Sequence, residues 1–206
     1  MESSRMAAPR TTDRAEAQRN RILDAAEKAF IGHGFHAAGM ALIAAEAEMS
    51  PGLIYRYYAG KQDIILAIIE RQLEDARTAI CKLYSSTDIV QAMFDCYANW
   101  RRADPSAMNA ALFAETGAEA TRNAALARAV AASDAATHAG LQRWMETPRD
   151  QGGCGMAPSE AERGALALHC FMNGLAIQAI RQPDGDPDKI RAVIAGFVKG
   201  VLPALG

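Results

Sequence analysis

The stretch MSPGLIYRYY, residues 49–58, gathers several hydrogen-bond donors behind a helix-start signal. The donors are Tyr55, Arg56 and Tyr57. Phenol and guanidinium groups resist burial unless they have partners, so one side of this stretch is expected to face water or a polyanion. Ser50 can cap a helix, and Pro51 suits the first helical position because it has no N–H to leave unpaired. Tyrosine and arginine are common donors to phosphate oxygens, which is the chemistry that this stretch predicts.

Two further helices must position these donors. Upstream, apolar residues recur at helical spacing from Ile22 to Phe30, and GHGF at 32–35 predicts the end of that helix, with Gly34 in a left-handed C′ position. A short helix of roughly Met40–Ala47 follows. Three helices in about fifty residues, the last two short and joined by a tight turn, form a helix-turn-helix, which inserts its second helix into the DNA major groove.

This geometry assigns roles to individual residues. Gly52 lets the backbone approach DNA closely, and Ile54 and Tyr58 are expected to share the inward face. Lys61 begins the next helix, whose free N–H groups also suit a phosphate. The DNA contacts predicted in this region are Ser50, Pro51, Gly52, Leu53, Tyr55, Arg56, Tyr57 and Lys61.

The composition of the 206 residues favours packed helices, since half are hydrophobic, 6% are aromatic and β-branched residues are sparse. The net charge of −2 by itself predicts no nucleic-acid partner. Residues 1–11 lack periodicity and are predicted to be a disordered arm. With no secretory h-region, no apolar run of membrane length and no Cys-x-x-Cys pair, we expect a cytoplasmic protein with reduced thiols and no membrane partner.

Helical patterns continue to the C-terminus. The predicted helices are Ile64 to about Tyr84, Asp88–Arg102, Ser106–Ala118, Thr121–Glu146, Glu160–Arg181 and Asp188–Leu202. Residues 147–159 and the sequence QPDGDP are predicted loops. The apolar stripes of the last two helices fit either an intramolecular core or a contact between two chains, and their spacing does not separate these alternatives.

The motifs of common enzymes are missing from the sequence. No Glu-x-x-His pair occurs, so a ferritin-like di-metal bundle is not expected. The four histidines, His33, His36, His138 and His169, have no close metal-binding spacing. No glycine-rich phosphate loop follows a strand, and no nucleophile elbow occurs. We therefore predict no enzymatic activity, no catalytic residue, no metal and no cofactor.

The segment RILDAAEKAFIGHGFHAAGMALIAAEAEMSPGLIYRYYAGKQDIILAI closely resembles the DNA-binding segment of TetR-family transcriptional repressors. The residues that match the family pattern are Ile22, Ala25, Ala26, Phe30, Gly34, Phe35, Ile43, Ala44, Ser50, Gly52, Ile54, Tyr55, Tyr57 and Lys61. Gly39 and Met40, at the start of the second helix, complete the predicted DNA contacts.

Three positions depart from the family pattern. Ala38-Gly39 stands where the family has Thr-Thr, Glu48 stands where it has a turn glycine, and Tyr58 replaces a phenylalanine. Glycine offers no side-chain oxygen to a helix cap or a phosphate, and glutamate in a left-handed turn costs about 1 kcal/mol relative to glycine. We expect slightly weaker phosphate contacts on this side of the helix-turn-helix.

The resemblance implies an all-α, Ω-shaped homodimer with about nine helices per chain, here residues 12–62 as the DNA-binding domain and 63–206 as a larger bundle for ligand binding and dimerisation. The last two helices would form the dimer interface, with Leu166, Cys170, Asn173, Gly174, Ile177, Ile194, Phe197, Val198 and Val201. Gly174, Gly196 and Gly200 would permit close approach. The middle helices would enclose a ligand cavity, with Met93, Cys96, Tyr97, Trp100, Met108, Phe113, His138, Met145, Phe171 and Met172 as candidate contacts.

The function implied by the resemblance is that of a one-component transcriptional regulator, a repressor by the habit of the family. Such a dimer binds a near-palindromic operator in double-stranded DNA and is released by a small-molecule effector, which a mostly apolar pocket predicts to be amphipathic. The alternative is a helical DNA-binding regulator that a protein partner controls without a small ligand. A closed apolar core in the larger domain would favour that alternative.

Overall fold

The computed structural model describes residues 11–84, 88–104 and 107–202 of the 206-residue chain. These ranges contain nine α-helices, one 3₁₀-helix and no β-strand, so the predicted all-α class is confirmed. Two compact units divide between Ile69 and Glu70, inside a helix, whereas the sequence analysis set the boundary after residue 62. The predicted disordered arm lies outside the described ranges except for Thr11, which already belongs to the first helix.

The N-terminal unit contains four helical segments around one core. They are α1 (Thr11–Ala37), α2 (Met40–Glu46), α3 (Pro51–Ile54) and the first part of α4 (Lys61–Tyr84). The rings of Phe30 and Phe35 meet edge to face with centroids 4.9 Å apart, and both are buried together with Ile22, Ile43 and Ile54. Because apolar positions recur every three or four residues, each helix buries one stripe and keeps its polar side in water.

Gly34 bends α1 where the sequence predicted that this helix ends. Its φ of 74° is positive as expected, but its ψ of 164° is extended, so the predicted left-handed C′ conformation is wrong. This region of backbone space is open essentially to glycine alone. The chain returns to helix as far as Ala37, and the Ala38 N–H donates to the Gly34 carbonyl at 3.3 Å.

The C-terminal unit holds the rest of α4 and five further α-helices. These are α5 (Ile89–Arg101), α6 (Ala110–Ala120), α7 (Ala124–Glu146), α8 (Pro158–Arg181) and α9 (Pro187–Val201), with a 3₁₀-helix at Arg149–Gln151. Two predicted starts, Ser106 and Thr121, lie too early. Asn109 and Asn123 each accept two backbone N–H groups at 3.0–3.2 Å, and these caps fix the first helical residues as Ala110 and Ala124.

The core of the C-terminal unit lies where α5, α7, α8 and α9 meet. Its fully buried side chains include Met93, Met145, Leu168, Ile194 and Val198. Phe171 on α8 stacks on Phe197 of α9 with centroids 3.9 Å apart and ring planes 4° from parallel. Burial of each large apolar side chain contributes about 1.5–3 kcal/mol, so these contacts hold the bundle together.

Candidate functional site

The short helix α3 begins as its sequence predicts. Ser50 has an extended backbone (φ −70°, ψ 144°), and its Oγ accepts the Leu53 N–H at 3.3 Å, which confirms the predicted N-cap. Pro51 occupies the first turn. Ile54 and Tyr58 are buried, as predicted for the inward face. The cap and the two buried side chains therefore fix which side of α3 faces out.

The outward side of α3 carries the predicted donors. Tyr55 is 52% exposed, Arg56 is exposed, and Leu53 and Tyr57 are half-buried. Gly52 is exposed, and a Cβ added there would meet no atom within 4 Å. Its φ lies outside the left-handed region, so neither backbone nor packing requires glycine at this position. The contacts of these residues with DNA remain predictions.

Gly39 and Met40 open the second helix without a side-chain cap. Gly39 is the N-cap of α2, its φ of −92° and ψ of 167° are extended, and no side chain accepts the free N–H groups. Gly39 is exposed and Met40 is half-buried. The first N–H groups of α2 are thus left to water or to another acceptor, which agrees with the expected loss of a threonine cap.

Lys61 has a structural role that the sequence analysis missed. Its Nζ donates to the Phe35 carbonyl at 2.6 Å and to the His36 carbonyl at 3.2 Å, which joins the start of α4 to the end of α1. An ammonium group has three donors, so one remains for the predicted phosphate contact. Lysine side chains often donate hydrogen bonds to the last carbonyl groups of a helix. The sequence alone, however, does not show that the start of α4 meets the end of α1.

Glu48 forms the turn between α2 and α3 with a φ of 50°, as the departure from the family glycine predicted. Its carboxylate lies 3.1 Å from Nη2 of Arg21, a residue 27 positions away that the sequence analysis did not connect with it. Both side chains are largely exposed, so the pair contributes at most about 1 kcal/mol. The pair nevertheless partly neutralises the negative charge beside the predicted phosphate contacts.

A cavity of about 380 Å³ lies in the C-terminal unit, between residues of α4 to α8. Five of the ten predicted ligand contacts line it, namely Cys96, Trp100, Met108, Phe113 and Met172. They bring one aromatic ring from α5 and one from α6 to the same space. The volume falls in the range of small-molecule sites, about 300–1,000 Å³.

The other five predicted contacts do not line this cavity. Met93, Tyr97 and Met145 are fully buried in the core, where they pack against helices rather than open space. Phe171 stacks on Phe197, and His138 contacts His169 of the wall without lining the cavity itself. Helical spacing predicted that these side chains face inward, but it cannot distinguish a packed interior from a cavity.

The polar wall of the cavity includes a histidine that the sequence analysis did not select. His169 Nδ1 lies 2.6 Å from His138 Nε2, and its Nε2 lies 3.6 Å from an Asp134 oxygen. The carboxylate favours a proton on Nε2 of His169, which leaves Nδ1 to accept from His138. Burial lowers the pKa of His169, Asp134 opposes that shift, and His138 adds to it. His169 is therefore a neutral side chain at neutral pH.

The helices α8 and α9 carry an exposed apolar face. Leu166 is 53% exposed and Cys170 is exposed on α8, while Asn173 and Ile177 are half-buried. On α9, Val193 is 54% exposed although the sequence analysis omitted it. Gly174, Gly196 and Gly200 are exposed, and a Cβ at any of them would meet no atom within 4 Å.

The predicted dimer contacts Ile194 and Val198 must be corrected. Both side chains are buried in the core of one protomer, so the intramolecular alternative holds for them. Phe197 and Val201 are half-buried beside them, and Phe197 already packs on Phe171. The exposed face of α9 follows Val193 together with Gly196 and Gly200, the two α9 glycines that were predicted to permit close approach.

Three features of the described residues bear on other functions. They contain no group of three or more histidine, cysteine or acidic side chains arranged to hold a metal ion. Within the described part of the chain, no helix has the length and apolarity to cross a membrane. Cys96, Cys154 and Cys170 form no disulfide, and burial raises the pKa of Cys154 to about 11, which Arg149 opposes. Cys154 is therefore an unreactive thiol.

Two family models match the chain. Residues 22–68 match the tetR family of bacterial regulatory proteins, and residues 88–203 match the C-terminal part of BetI-type transcriptional repressors. The second match alone covers more than half of the chain. Together they include every residue of the helix-turn-helix from Ile22 onward and the whole described wall of the cavity from α5 to α8.

Curated relatives resemble mainly the N-terminal part. The HTH-type transcriptional activator FasR of Mycolicibacterium smegmatis is 31% identical over 86 residues, which cover 38% of this chain and 39% of that protein. The HTH-type transcriptional regulator UidR of Escherichia coli K12 is 38% identical over 68 residues, 33% of each chain. The matches thus span about a third to two fifths of these relatives.

Solved structures match nearly the whole chain. GusR of Salmonella enterica superposes with a TM-score of 0.73 at 24% identity, over 91% of this chain and 96% of that one. A transcriptional regulator of Saccharomonospora viridis, solved in complex with choline, gives a TM-score of 0.71 at 19% identity, over 89% and 96%. At these identities the likeness establishes the fold.

Proposed function

The chain belongs to the TetR family of bacterial regulatory proteins, and from this premise we propose that it represses transcription as a homodimer on a near-palindromic operator and is released by a small molecule bound in its C-terminal cavity. The family and the matched relatives are transcriptional regulators rather than enzymes. The repressor assignment follows the C-terminal family model, although one matched relative is an activator. A regulator of this kind acts on bacterial DNA, in the cytoplasm.

The observation that carries the DNA-binding proposal is the outward side of α3. Ser50 and the buried Ile54 and Tyr58 hold this helix, so that exposed Gly52 and Tyr55 lie on its free side. In a helix-turn-helix, the N-terminal residues of this helix contact base edges, and neighbouring hydroxyl and guanidinium groups bind phosphate. Leu53 is thus assigned to base selection and Tyr55 to the DNA backbone.

The homodimer proposal is supported by the exposed face of α8 and α9. Leu166 and Val193 leave more than half of their side-chain surface in water, and Gly174, Gly196 and Gly200 leave open space around their backbones. Small residues allow two helices to approach closely, and a symmetric dimer buries the same patch on both subunits. We propose that α8 and α9 of two chains pack through these residues.

The cavity favours a small-molecule effector over the alternative of control by a protein partner alone. A closed apolar core would have supported the alternative, but the C-terminal unit contains about 380 Å³ of open space with both apolar and polar walls. The choline complex of a structurally similar regulator supports the same choice. An effector need only bind the free and operator-bound states with different affinity, and typical coupling is about 1–3 kcal/mol.

The test of DNA binding is selection from a random pool of double-stranded DNA with the purified full-length protein at near-physiological salt. Enrichment of an inverted repeat is expected. Binding without enrichment that fades as salt rises would indicate only general electrostatic attraction and would overturn the proposal of a sequence-selective regulator.

The test of the dimer uses two matched variants in light scattering and operator binding. Leu166→Glu should yield a monomer that no longer binds the selected operator tightly, because it adds a charge to the proposed interface. Ile31→Glu, at a side chain of similar exposure (47%) on α1, should stay dimeric. A dimeric Leu166→Glu variant would contradict the assigned interface.

The effector is tested by adding small molecules of different charge to the operator complex and following DNA release by fluorescence anisotropy. At least one class should lower operator affinity. If no compound does so while a protein from the same bacterium releases the DNA, the partner-controlled alternative is the better description.

A further inference from the structure

The loop between α7 and α8 borders an open pocket of about 560 Å³ in the C-terminal unit. This pocket shares no lining residue with the cavity described above. We propose that it is a second ligand site, which binds a small organic carboxylate through the guanidinium groups of Arg149 and Arg163. The inference goes beyond the proposed function, because repression and release by an effector in the cavity do not require this site. We call it the arginine pocket.

Arg149 is held in place by the loop in which it lies. The Met156 N–H donates to the Met145 carbonyl at 2.8 Å, which ties the loop to the end of α7. The Arg149 Nε donates to the Cys154 carbonyl at 3.3 Å. Its Cγ packs on the backbone of Gly155, where the φ of 64° favours glycine and an added Cβ would lie 3.7 Å from that carbon. These contacts orient the side chain, so less conformational entropy is lost when it binds a ligand.

The terminal nitrogens of both arginines remain available to a ligand. A guanidinium group has five N–H donors, and the bond to Cys154 uses one of those on Arg149. In the described part of the chain, no acceptor pairs with the Nη atoms of Arg149 or with the side chain of Arg163. Arg163 is exposed on α8 and lines the same pocket. A carboxylate can accept two parallel N–H bonds from one guanidinium group, and such charged bonds are stronger than neutral ones.

The charge of the arginine pocket favours a monoanion. Among the described residues that line it, Arg149 and Arg163 are positive and Glu160 alone is negative. Cys154 also lines the pocket, but burial raises the pKa of its thiol to about 11, which Arg149 opposes, so the thiol is uncharged at neutral pH. One positive charge is thus left over. A carboxylate neutralises it, whereas a phosphate dianion would leave excess negative charge beside Glu160.

The remaining wall of the arginine pocket suits the apolar part of an organic acid. Met156, Ala167 and Val201 line it with half-buried apolar side chains. Gly164 and Gly200 also line it, and their lack of a side chain leaves room for the ligand. The volume lies in the range of small-molecule sites, about 300–1,000 Å³. An inorganic anion would leave the apolar surface in water, so a carboxylate with an aromatic or branched aliphatic group fits better.

The experiment measures binding of benzoate, benzamide and inorganic phosphate to the full-length protein by isothermal titration calorimetry. Benzamide has nearly the shape of benzoate but no charge, and phosphate has negative charge but no apolar part. Benzoate should bind at least about tenfold more tightly than either of the other probes, because only benzoate can contact both the guanidinium groups and the apolar wall.

Three variants locate the bound benzoate. Arg149→Gln and Arg163→Gln should each weaken benzoate binding at least about tenfold, since each removes charged donors to the carboxylate. Arg128→Gln removes an exposed arginine of α7 that does not line the pocket, and it should leave the affinity unchanged. Arg163 is exposed and its side chain pairs with no described residue, so Arg163→Gln should fold normally, which thermal unfolding checks.

Four results would overturn the inference. Benzoate does not bind at millimolar concentration, benzamide or phosphate binds as tightly, both pocket variants bind benzoate like the unaltered protein, or Arg128→Gln weakens binding as much as they do. The last result would indicate only a general attraction of anions to the protein. Light scattering adds a fifth, because a monomeric Arg163→Gln variant would assign this arginine to the contact between protomers instead. Operator selection without benzoate tests the proposed function separately, so either proposal can fail alone.

Discussion

Gly52→Ala should separate folding from DNA binding. The residue is exposed, has no left-handed backbone, and has no atom within 4 Å of the position of an added Cβ, so the fold accepts alanine without strain. Alanine is a better helix former than glycine and restricts the unfolded chain. If Gly52 is glycine because the backbone of α3 approaches DNA, the same methyl group must push the recognition helix away.

The two effects have opposite signs and different sizes. Gly52 lies in the first turn of a four-residue helix, so we expect a stabilisation of about 0.5 kcal/mol, which raises the Tm of a chain of this length by roughly 1–2 °C. Loss of one hydrogen bond to a charged phosphate costs about 1.5–3 kcal/mol in each protomer. Two protomers lose about 3–6 kcal/mol, which lowers operator affinity by roughly 100-fold or more.

The assay is fluorescence anisotropy with the selected operator, together with thermal unfolding of the same samples. The matched control is Gly117→Ala, at an exposed helical glycine of α6 that also has no atom within 4 Å of an added Cβ. Gly117→Ala should raise the Tm and leave DNA affinity unchanged.

The reasoning about Gly52 would be refuted by an alanine variant that binds the operator within about threefold of the unaltered protein. A fall in Tm would equally refute the claim that the fold does not need glycine there. If Gly117→Ala weakens DNA binding as much, the effect does not come from contact with DNA.

Three more predictions concern single side chains. Tyr55→Phe should lower affinity for operator and unrelated DNA by a similar factor of roughly 100, because each of the two protomers loses a donor to a charged phosphate, and it should not change the Tm. A loss confined to the operator would contradict this. Glu48→Gly should raise both operator affinity and the Tm. Removing the strain of a glutamate at positive φ stabilises the fold by more than loss of the exposed ion pair with Arg21 destabilises it. Fluorescence anisotropy tests the affinity, and thermal unfolding tests the Tm. The free energy of unfolding should fall as the pH drops below about 6.5, because His169 takes up a proton more readily in the unfolded chain than in the folded one. In the folded chain, burial lowers the pKa of His169, Asp134 opposes that shift, and His138 adds to it. His169→Gln should reduce that fall in urea titrations at pH 7.5 and 5.5.

Much of the helix-turn-helix could be predicted because its determinants are local. The cap at Ser50, the proline after it and the inward pair Ile54 and Tyr58 each depend on residues within one or two turns. The same holds for the strain at Glu48, which follows from its place in a tight turn. The chain encodes these features in short stretches, and the family pattern adds their order.

The contacts that the sequence did not reveal join distant segments. Arg21 and Glu48 are 27 positions apart, and Lys61 bonds to carbonyls 25 and 26 positions earlier. Helical periodicity shows that Met93 and Met172 both face inward, but only the packing of whole helices decides that Met93 is enclosed and Met172 borders open space. For the same reason Ile194 and Val198 of α9 were assigned to the outward face although both are buried. Without the partner helices, Val193 and Ile194 are equally plausible as outward residues.

The open glycines of α8 and α9 also bear on how this chain would be kept from forming mixed dimers with related regulators. A bacterium with several proteins of one fold must prevent mixed dimers, whose two halves would seek different operators. Nothing of the protomer fills the space at Gly174, Gly196 and Gly200. In the proposed dimer this space would receive the partner, so a larger residue at the matching position of a related chain would meet the backbone of its partner. The three glycines can therefore favour dimers of identical chains over mixed dimers. After a gene duplication, a single glycine-to-alanine change would begin to reduce mixed pairing between the two gene products.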